Sequence, residues 1–238
     1  MRRIILGFFV VLFVGVFTAL GVWQVQRLAW KTDLIARVNA RVHAPAIPAP
    51  TNWSAVTRAT DEYRHVRVNG HFLNADESEV YTLSELGAGY WVMTPLKTDD
   101  GRIIYINRGF VTEDKKATKT RPQGQLDGEV TVTGLLRLPE VKGWLFQQPN
   151  DPAQDMWYRR DVQQMANAHH LGPVAPYFID ADASVIPGGW PKGGLTVIRF
   201  PNSHLQYAIT WFSLAILLAG ASIWMTWFRK PEDGEDSI

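Results

Sequence analysis

The chain of 238 residues contains no cysteine. Disulfide bonds and thiolate metal ligands are therefore excluded, and a folded domain must be held together by its apolar core. The sequence also lacks the G-x-S-x-G nucleophile elbow, a glycine-rich phosphate loop with lysine and the H-E-x-x-H metal motif. A formal net charge of +1 provides no strongly basic surface for nucleic acid. We therefore expect a protein that is not an enzyme and does not bind nucleic acid.

Charged residues and histidine are missing from two long stretches of the chain, residues 4–23 and 207–228. A helix of about 20 residues, rising about 1.5 Å per residue, crosses a hydrocarbon core of roughly 30 Å. Because lipid cannot satisfy backbone amide and carbonyl groups, each stretch is predicted to be a transmembrane helix. The mean hydropathy of −0.10 indicates that most of the remaining chain faces water.

Positive charge next to the two stretches predicts their orientation. Arg2-Arg3 and Arg229-Lys230 favour cytoplasmic ends, because basic residues close to a span are retained on that side. An export signal that is later cleaved is an alternative for the N-terminal stretch, since Arg2-Arg3 precedes an apolar core and small residues occur at 18–21. The predicted segments are a cytoplasmic N-terminus at 1–3, transmembrane helices at 4–23 and 207–228, an extracytoplasmic domain at 24–206 and a cytoplasmic tail at 229–238.

Short runs of alternating apolar and polar residues fill the region between the spans. They predict strands at 63–73, 79–86, 90–96, 102–111, 129–138, 177–179 and 195–200. Asp99-Asp100-Gly101 predicts a tight hairpin turn, and the segment 161–171 predicts a short helix. The fold class is therefore α+β, with two transmembrane helices flanking an antiparallel, β-rich domain that has one or two small helices. Apolar spacing over 30–43 also indicates that the first helix continues or restarts beyond the membrane.

His204 lies at the predicted entrance of the second span. On a helix, His204, Tyr207, Ala208 and Trp211 fall at i, i+3, i+4 and i+7 and share one face. Such a face suits a tetrapyrrole, because the imidazole can be an axial ligand of haem iron, Ala208 leaves room and Trp211 lines the ring. The same spacing is also typical of residues that only anchor a helix at the interface.

Trp23 and Arg27 lie at helical spacing where the first span ends. Arginine forms charge-assisted hydrogen bonds with carboxylates, so Arg27 is a candidate partner for the carboxylates of a haem at this boundary. The two helix ends are predicted to form opposite walls of one cofactor-binding site, although both residues also fit a plain interface anchor.

Several sequence segments, in this order, carry a resemblance to a known family: LGVWQ at 20–24, YWVMTPL at 90–96, NRGFV at 107–111, VTVTGLLR at 130–137, NDP at 150–152, WY at 157–158 and NSHLQYAITW at 202–211. With its two spans, the chain resembles the Surfeit locus protein 1 family of cytochrome c oxidase assembly factors. The resemblance covers nearly the whole chain. The family's proposed haem-binding histidine falls on His204, and its tryptophan two turns later falls on Trp211.

This resemblance implies a chaperone that binds haem a and assists its insertion into the catalytic subunit of cytochrome c oxidase, a complex of the respiratory chain. The implied location is the bacterial inner (plasma) membrane, or the mitochondrial inner membrane in a eukaryote. The implied partners are that oxidase subunit and membrane lipid, with haem a synthase as a further candidate. The alternative is a scaffold that holds no cofactor and stabilises an early oxidase intermediate through residues such as Asn107-Arg108-Gly109 and Arg137.

Overall fold

A computed structural model describes residues 2–139, 148–196, 198 and 200–228 of the chain. By its internal contacts the chain divides into two compact units, residues 1–37 with 199–238 and residues 38–198. The helices are α1 (Arg2–Val42), α2 (Arg58–Asp61), α3 (Val162–Ala168) and α4 (His204–Phe228). The predicted tail at 229–238 lies outside the described residues.

The terminal helices are the long apolar elements that the sequence predicts. Within the described residues, Ile4–Val42 and His204–Trp227 are long and apolar enough to cross a membrane. α1 runs without a break from the apolar stretch to Val42, because no glycine or proline interrupts residues 22–42 and the first proline is Pro45. The first helix therefore continues beyond residue 23 and does not restart.

The unit of residues 38–198 is built on one sheet. Its strands are β1 (Ile47–Pro48), β2 (His65–Phe72), β3 (Ser78–Ser84), β4 (Gly87–Lys97), β5 (Ile103–Thr112), β6 (Glu129–Arg137) and β7 (Val174–Ala181). The strand order is β1-β2-β6-β7-β5-β4-β3, and a further pairing joins β2 to β4. The pairings β2-β6-β7-β5-β4-β2 thus close into a ring, with β1 and β3 attached outside it.

The sheet is mixed, which corrects the prediction of an antiparallel domain. β5 pairs with β7 in parallel, and the two residues of β1 pair in parallel with β2. The remaining neighbours are antiparallel, including β4 and β5 on either side of the predicted turn, where Gly101 has a φ of 84°. β7 follows β6 only after a long connection that contains α3, so no hairpin signal in the sequence reveals its direction.

Most predicted elements are confirmed. Each predicted strand from 63–73 to 177–179 overlaps one strand of the sheet, and the predicted helix at 161–171 corresponds to α3. Asp161 caps α3 by accepting a hydrogen bond from the backbone amide of Gln164. The strand predicted at 195–200 is wrong for the described residues of that range, since an extended segment becomes a strand only where a neighbour pairs along it. Residues 197 and 199 are not described.

Alternation along β5 and β7 divides the apolar residues between the two faces of the sheet. Ile104 and Ile106 pack inside the ring of strands with Tyr177 and Ile179. Tyr105 points to the opposite face, where a second cluster contains Phe178, Trp157 and residues of α3. The sheet is therefore buried on both faces around its centre.

Candidate functional site

His204 is the first residue of α4, and its imidazole contacts α1. Its Nδ1 atom lies 2.8 Å from Oε1 of Gln24, a residue that is 8% exposed. Because an amide oxygen only accepts hydrogen bonds, Nδ1 carries the proton and donates it to Gln24. In the neutral imidazole this tautomer leaves the lone pair on Nε2, which is the form that binds a metal.

Two further predicted site residues share the packed face of α4 with His204. Ala208 is only 2% exposed, and the ring of Trp211 stacks on Phe17 with centroids 5.7 Å apart and planes at 27°. One turn along α1 from Phe17, a Cβ atom added to Gly21 would lie 2.6 Å from the ring of Phe212. The space expected beside Ala208 is therefore taken up by helix packing.

The other predicted residues lie on exposed surface of the same unit. Trp23 is 52% exposed and Tyr207 is 54% exposed. Arg27 is also exposed, and its guanidinium carbon lies 4.2 Å from the ring centroid of Trp30, a cation–π contact. The predicted set thus separates into a packed group, His204 with Ala208 and Trp211, and an exposed group.

Sequence reasoning missed Gln24, which appeared only as the last residue of the segment at 20–24. A signal was present, because an amide directly after an apolar run needs a hydrogen-bond partner if it faces another helix. Only the packing of α1 with α4 identifies that partner as His204.

A buried charge cluster lies in the unit of residues 38–198. Asp180 is 3% exposed and accepts hydrogen bonds from Asn107 at 2.7 Å, Arg137 at 3.0 Å and Arg160 at 3.3 Å. These four residues line a cavity of about 390 Å³ whose rim includes Leu83 and other apolar residues of the β3–β4 hairpin. Asp180 is thus a buried carboxylate that is bound by one amide and two guanidinium groups.

A second charge network surrounds Glu77, whose side chain is 3% exposed. Arg121 donates to both oxygens of this carboxylate and, at 3.1 Å, to Glu79. Arg108 approaches Glu77 only to 3.8 Å. Burial, reinforced by the neighbouring Glu77, raises the pKa of Glu79 to about 8, and burial lowers the pKa of Arg108 to about 10.

Gly109 is fixed by backbone geometry, which gives the NRGFV segment a structural explanation. It has a φ of 126°, and an added Cβ atom would lie 2.0 Å from the carbonyl oxygen of Lys192. Phe110 and Lys192 exchange two backbone hydrogen bonds directly beside it. A side chain at position 109 is therefore incompatible with this contact.

These features define a membrane-associated protein in which two terminal apolar helices accompany a mixed β-domain, with a polar histidine–glutamine contact where α4 begins. The model of the SURF1 family matches residues 11–216, and the chain belongs to this family. It is 38% identical to Surfeit locus protein 1 of Rattus norvegicus over 227 residues, or 89% of this chain and 71% of that protein.

Two other relatives give a similar picture. Surfeit locus protein 1 of Homo sapiens is 37% identical over 89% of this chain and 72% of its own length. A SURF1-like protein of Monosiga brevicollis is 38% identical over 89% of this chain and 83% of its own length. The family resemblance found in the sequence is confirmed.

Proposed function

We propose that this protein acts in the assembly of cytochrome c oxidase as a non-enzymatic carrier that binds haem a and assists its insertion into the catalytic subunit. Membership of the SURF1 family supports the assembly role. The two apolar helices support membrane association. The proposal places the protein in the bacterial inner membrane, or its mitochondrial counterpart, with both termini cytoplasmic and the β-domain outside.

The observation that carries the haem proposal is the contact between His204 and Gln24. A histidine that binds a metal through one nitrogen generally donates a hydrogen bond through the other, and this bond sets the tautomer and the ring orientation. The 2.8 Å contact provides that hydrogen bond, because Nδ1 donates to Gln24 and the lone pair of the neutral ring is then on Nε2. His204 is thus prepared to give one axial ligand to haem iron.

The packed group restricts how the cargo is held. Ala208 is buried and Trp211 stacks on Phe17 of α1, so both support the position of His204 and do not enclose an empty slot. Trp23, Tyr207 and Arg27 offer exposed aromatic and cationic groups for the apolar ring and the carboxylates. A carrier with one histidine ligand and an incomplete enclosure releases its cargo more readily than a closed pocket does, which suits transfer to another protein.

The test compares the full-length parent protein with three variants, each purified from cells that synthesise haem a. His204→Ala is expected to lose most of its Soret absorbance and extractable haem a while its insertion into the membrane is unchanged. Gln24→Leu keeps the imidazole but removes its hydrogen-bond partner, and we expect haem affinity to fall about 10-fold. His71→Ala, which changes an exposed histidine on β2, is the matched control.

The packing of α4 on α1 favours a second candidate, the scaffold without a cofactor. In that case His204, Ala208 and Trp211 hold the two helices together, and the oxidase subunit docks on the outer β-domain. Unchanged haem content in His204→Ala, together with a lowered unfolding temperature, would support the scaffold and contradict the carrier. Co-purification of the oxidase subunit with His204→Ala supports docking under either proposal.

A further inference from the structure

Arg108 lies inside the ring of strands, at one end of it. Ile104, Ile106 and Arg108 are spaced by two residues on β5 and therefore share one face, and the two isoleucines belong to the interior apolar cluster. The Arg108 side chain is 2% exposed, and its guanidinium carbon lies 4.5 Å from the ring centroid of Phe72. An arginine is thus buried at the end of an otherwise apolar interior.

The positive charge of Arg108 is only partly matched by its neighbours. Glu77 binds Arg121 through both carboxylate oxygens and approaches Arg108 only to 3.8 Å. The Nη atoms of Arg108 contact carbonyl or amide oxygens of Gly124 and Asn74, whereas its buried Nε has no hydrogen-bond partner among the described residues. A buried donor without a partner costs free energy, which a ligand that accepts from it would recover.

Arg108 is also one of the residues that line a cavity of about 330 Å³ at this end of the ring. The wall combines polar and apolar surface, and its larger apolar residues are Phe72, Ile106, Leu126, Val130, Val132 and Ile186. Pockets that bind small molecules are typically of about 300–1,000 Å³, mainly apolar, with a few placed polar groups. The volume falls at the lower end of that range and fits a short apolar chain.

One acidic residue, Asp182, also lines the cavity, and it is paired with His65. Its Oδ2 lies 2.8 Å from Nε2 of His65, and the neighbouring carboxylate raises the pKa of His65 against the opposing effect of its partial burial. Arg108 therefore determines the charge that the cavity prefers. Since one guanidinium donor lacks a partner, a monoanion matches it better than a dianion such as phosphate.

From this geometry we propose that the cavity at Arg108 binds an amphipathic carboxylate, with the carboxylate on the guanidinium of Arg108 and an acyl chain along the apolar side chains of the wall. The site belongs to the unit of residues 38–198 and does not depend on His204 or on the proposed haem carrier role. The raised pKa of Glu79 is consistent with it, because a protonated Glu79 leaves the surrounding network with more positive charge.

The experiment measures the binding of labelled octanoate to the full-length protein in lipid nanodiscs by equilibrium dialysis. Empty nanodiscs are the blank. We expect saturable binding of octanoate and at least about 10-fold weaker binding of octan-1-ol, which has the same chain without the charge. Ser184→Trp places a large ring on the cavity lining and is expected to abolish the saturable binding. Val185→Trp adds the same ring at a fully exposed residue outside the lining and should leave binding unchanged.

Arg108→Gln should weaken octanoate binding without affecting octan-1-ol, but this change also disturbs the buried charge network. Ser184→Trp therefore keeps the proposal testable if Arg108→Gln does not fold. Equal binding of octanoate and octan-1-ol, octanoate binding that survives Ser184→Trp, or no saturable octanoate binding would each overturn the proposal.

Discussion

Glu79 is a largely buried carboxylic acid, with a side chain that is 12% exposed. Burial raises its pKa to about 8, and the adjacent Glu77 acts in the same direction. The native protein therefore holds a proton at Glu79 more tightly than the unfolded chain, in which the pKa is near 4.5. This preference stabilises the fold below about pH 4.5, and the contribution is lost as the pH rises through about 8.

Replacing Glu79 with glutamine keeps the shape of the neutral acid and removes its titration. We expect the unfolding temperature of the parent protein to fall more steeply than that of Glu79→Gln between about pH 5 and about pH 9. The variant should consequently be the more stable of the two at the alkaline end. Thermal unfolding of the full-length protein measures this, with Glu129→Gln at an exposed position of β6 as the control. Parallel curves for parent and Glu79→Gln would contradict the raised pKa.

Among the elements of the sheet, β5 can pair with the segment around Lys192 only because residue 109 is glycine. Gly109 combines a φ of 126° with close approach of the Lys192 carbonyl oxygen, so β5 can exchange hydrogen bonds with the segment around Lys192 only if position 109 has no side chain. Loss of function in a Gly109 variant would therefore report a folding defect first, and not a lost docking surface.

Gly109→Ala is expected to destabilise the protein by about 2–4 kcal/mol, because strain at positive φ is added to a backbone clash. Gly101→Ala is the matched control, since Gly101 also has a positive φ of 84° but nothing lies within 4 Å of an added Cβ atom. We expect about 1 kcal/mol for the control, from the backbone conformation alone. Denaturant unfolding of both variants measures the difference, and equal losses would show that the contact with Lys192 is unimportant.

The strands also show what local sequence can and cannot specify. Alternation placed β2 to β7 on the correct segments, because one face of each strand must carry residues that can be buried. β1 was not predicted, since its two residues, Ile47 and Pro48, are too few to form an alternating pattern. The parallel pairing of β5 with β7 was not predicted either, because these two strands are separated in the chain by β6 and α3.

In the whole molecule, strands within the closed ring and strands outside it differ in how well their backbone amides are protected from exchange with water. β5 pairs with β4 on one side and β7 on the other, and it is buried at every position between its first and last residues. β3 is at the end of the strand order, and Leu83 near its end is 75% exposed. Opening of the structure therefore starts more easily at β3 than at β5.

Hydrogen exchange of the full-length protein, followed by mass spectrometry, should show this gradient. Amides of residues 104–111 are expected to exchange at least about 100-fold more slowly than those of residues 82–86 under native conditions. The comparison has an internal control, because β4 pairs with both strands and should have intermediate protection. Equal exchange in the two segments would indicate that the ring of strands opens as one unit.

The sequence alone determined the two apolar helices, most of the strands and the family, because these follow from local composition, alternation and spacing. It could not determine that Gln24 is the partner of His204, that Asp180 is buried among arginines, or that Arg108 lies beside a cavity. Each of these facts depends on two segments that are distant in the chain and adjacent in space. Local sequence determines which side chains can be buried, whereas tertiary packing decides which of them meet.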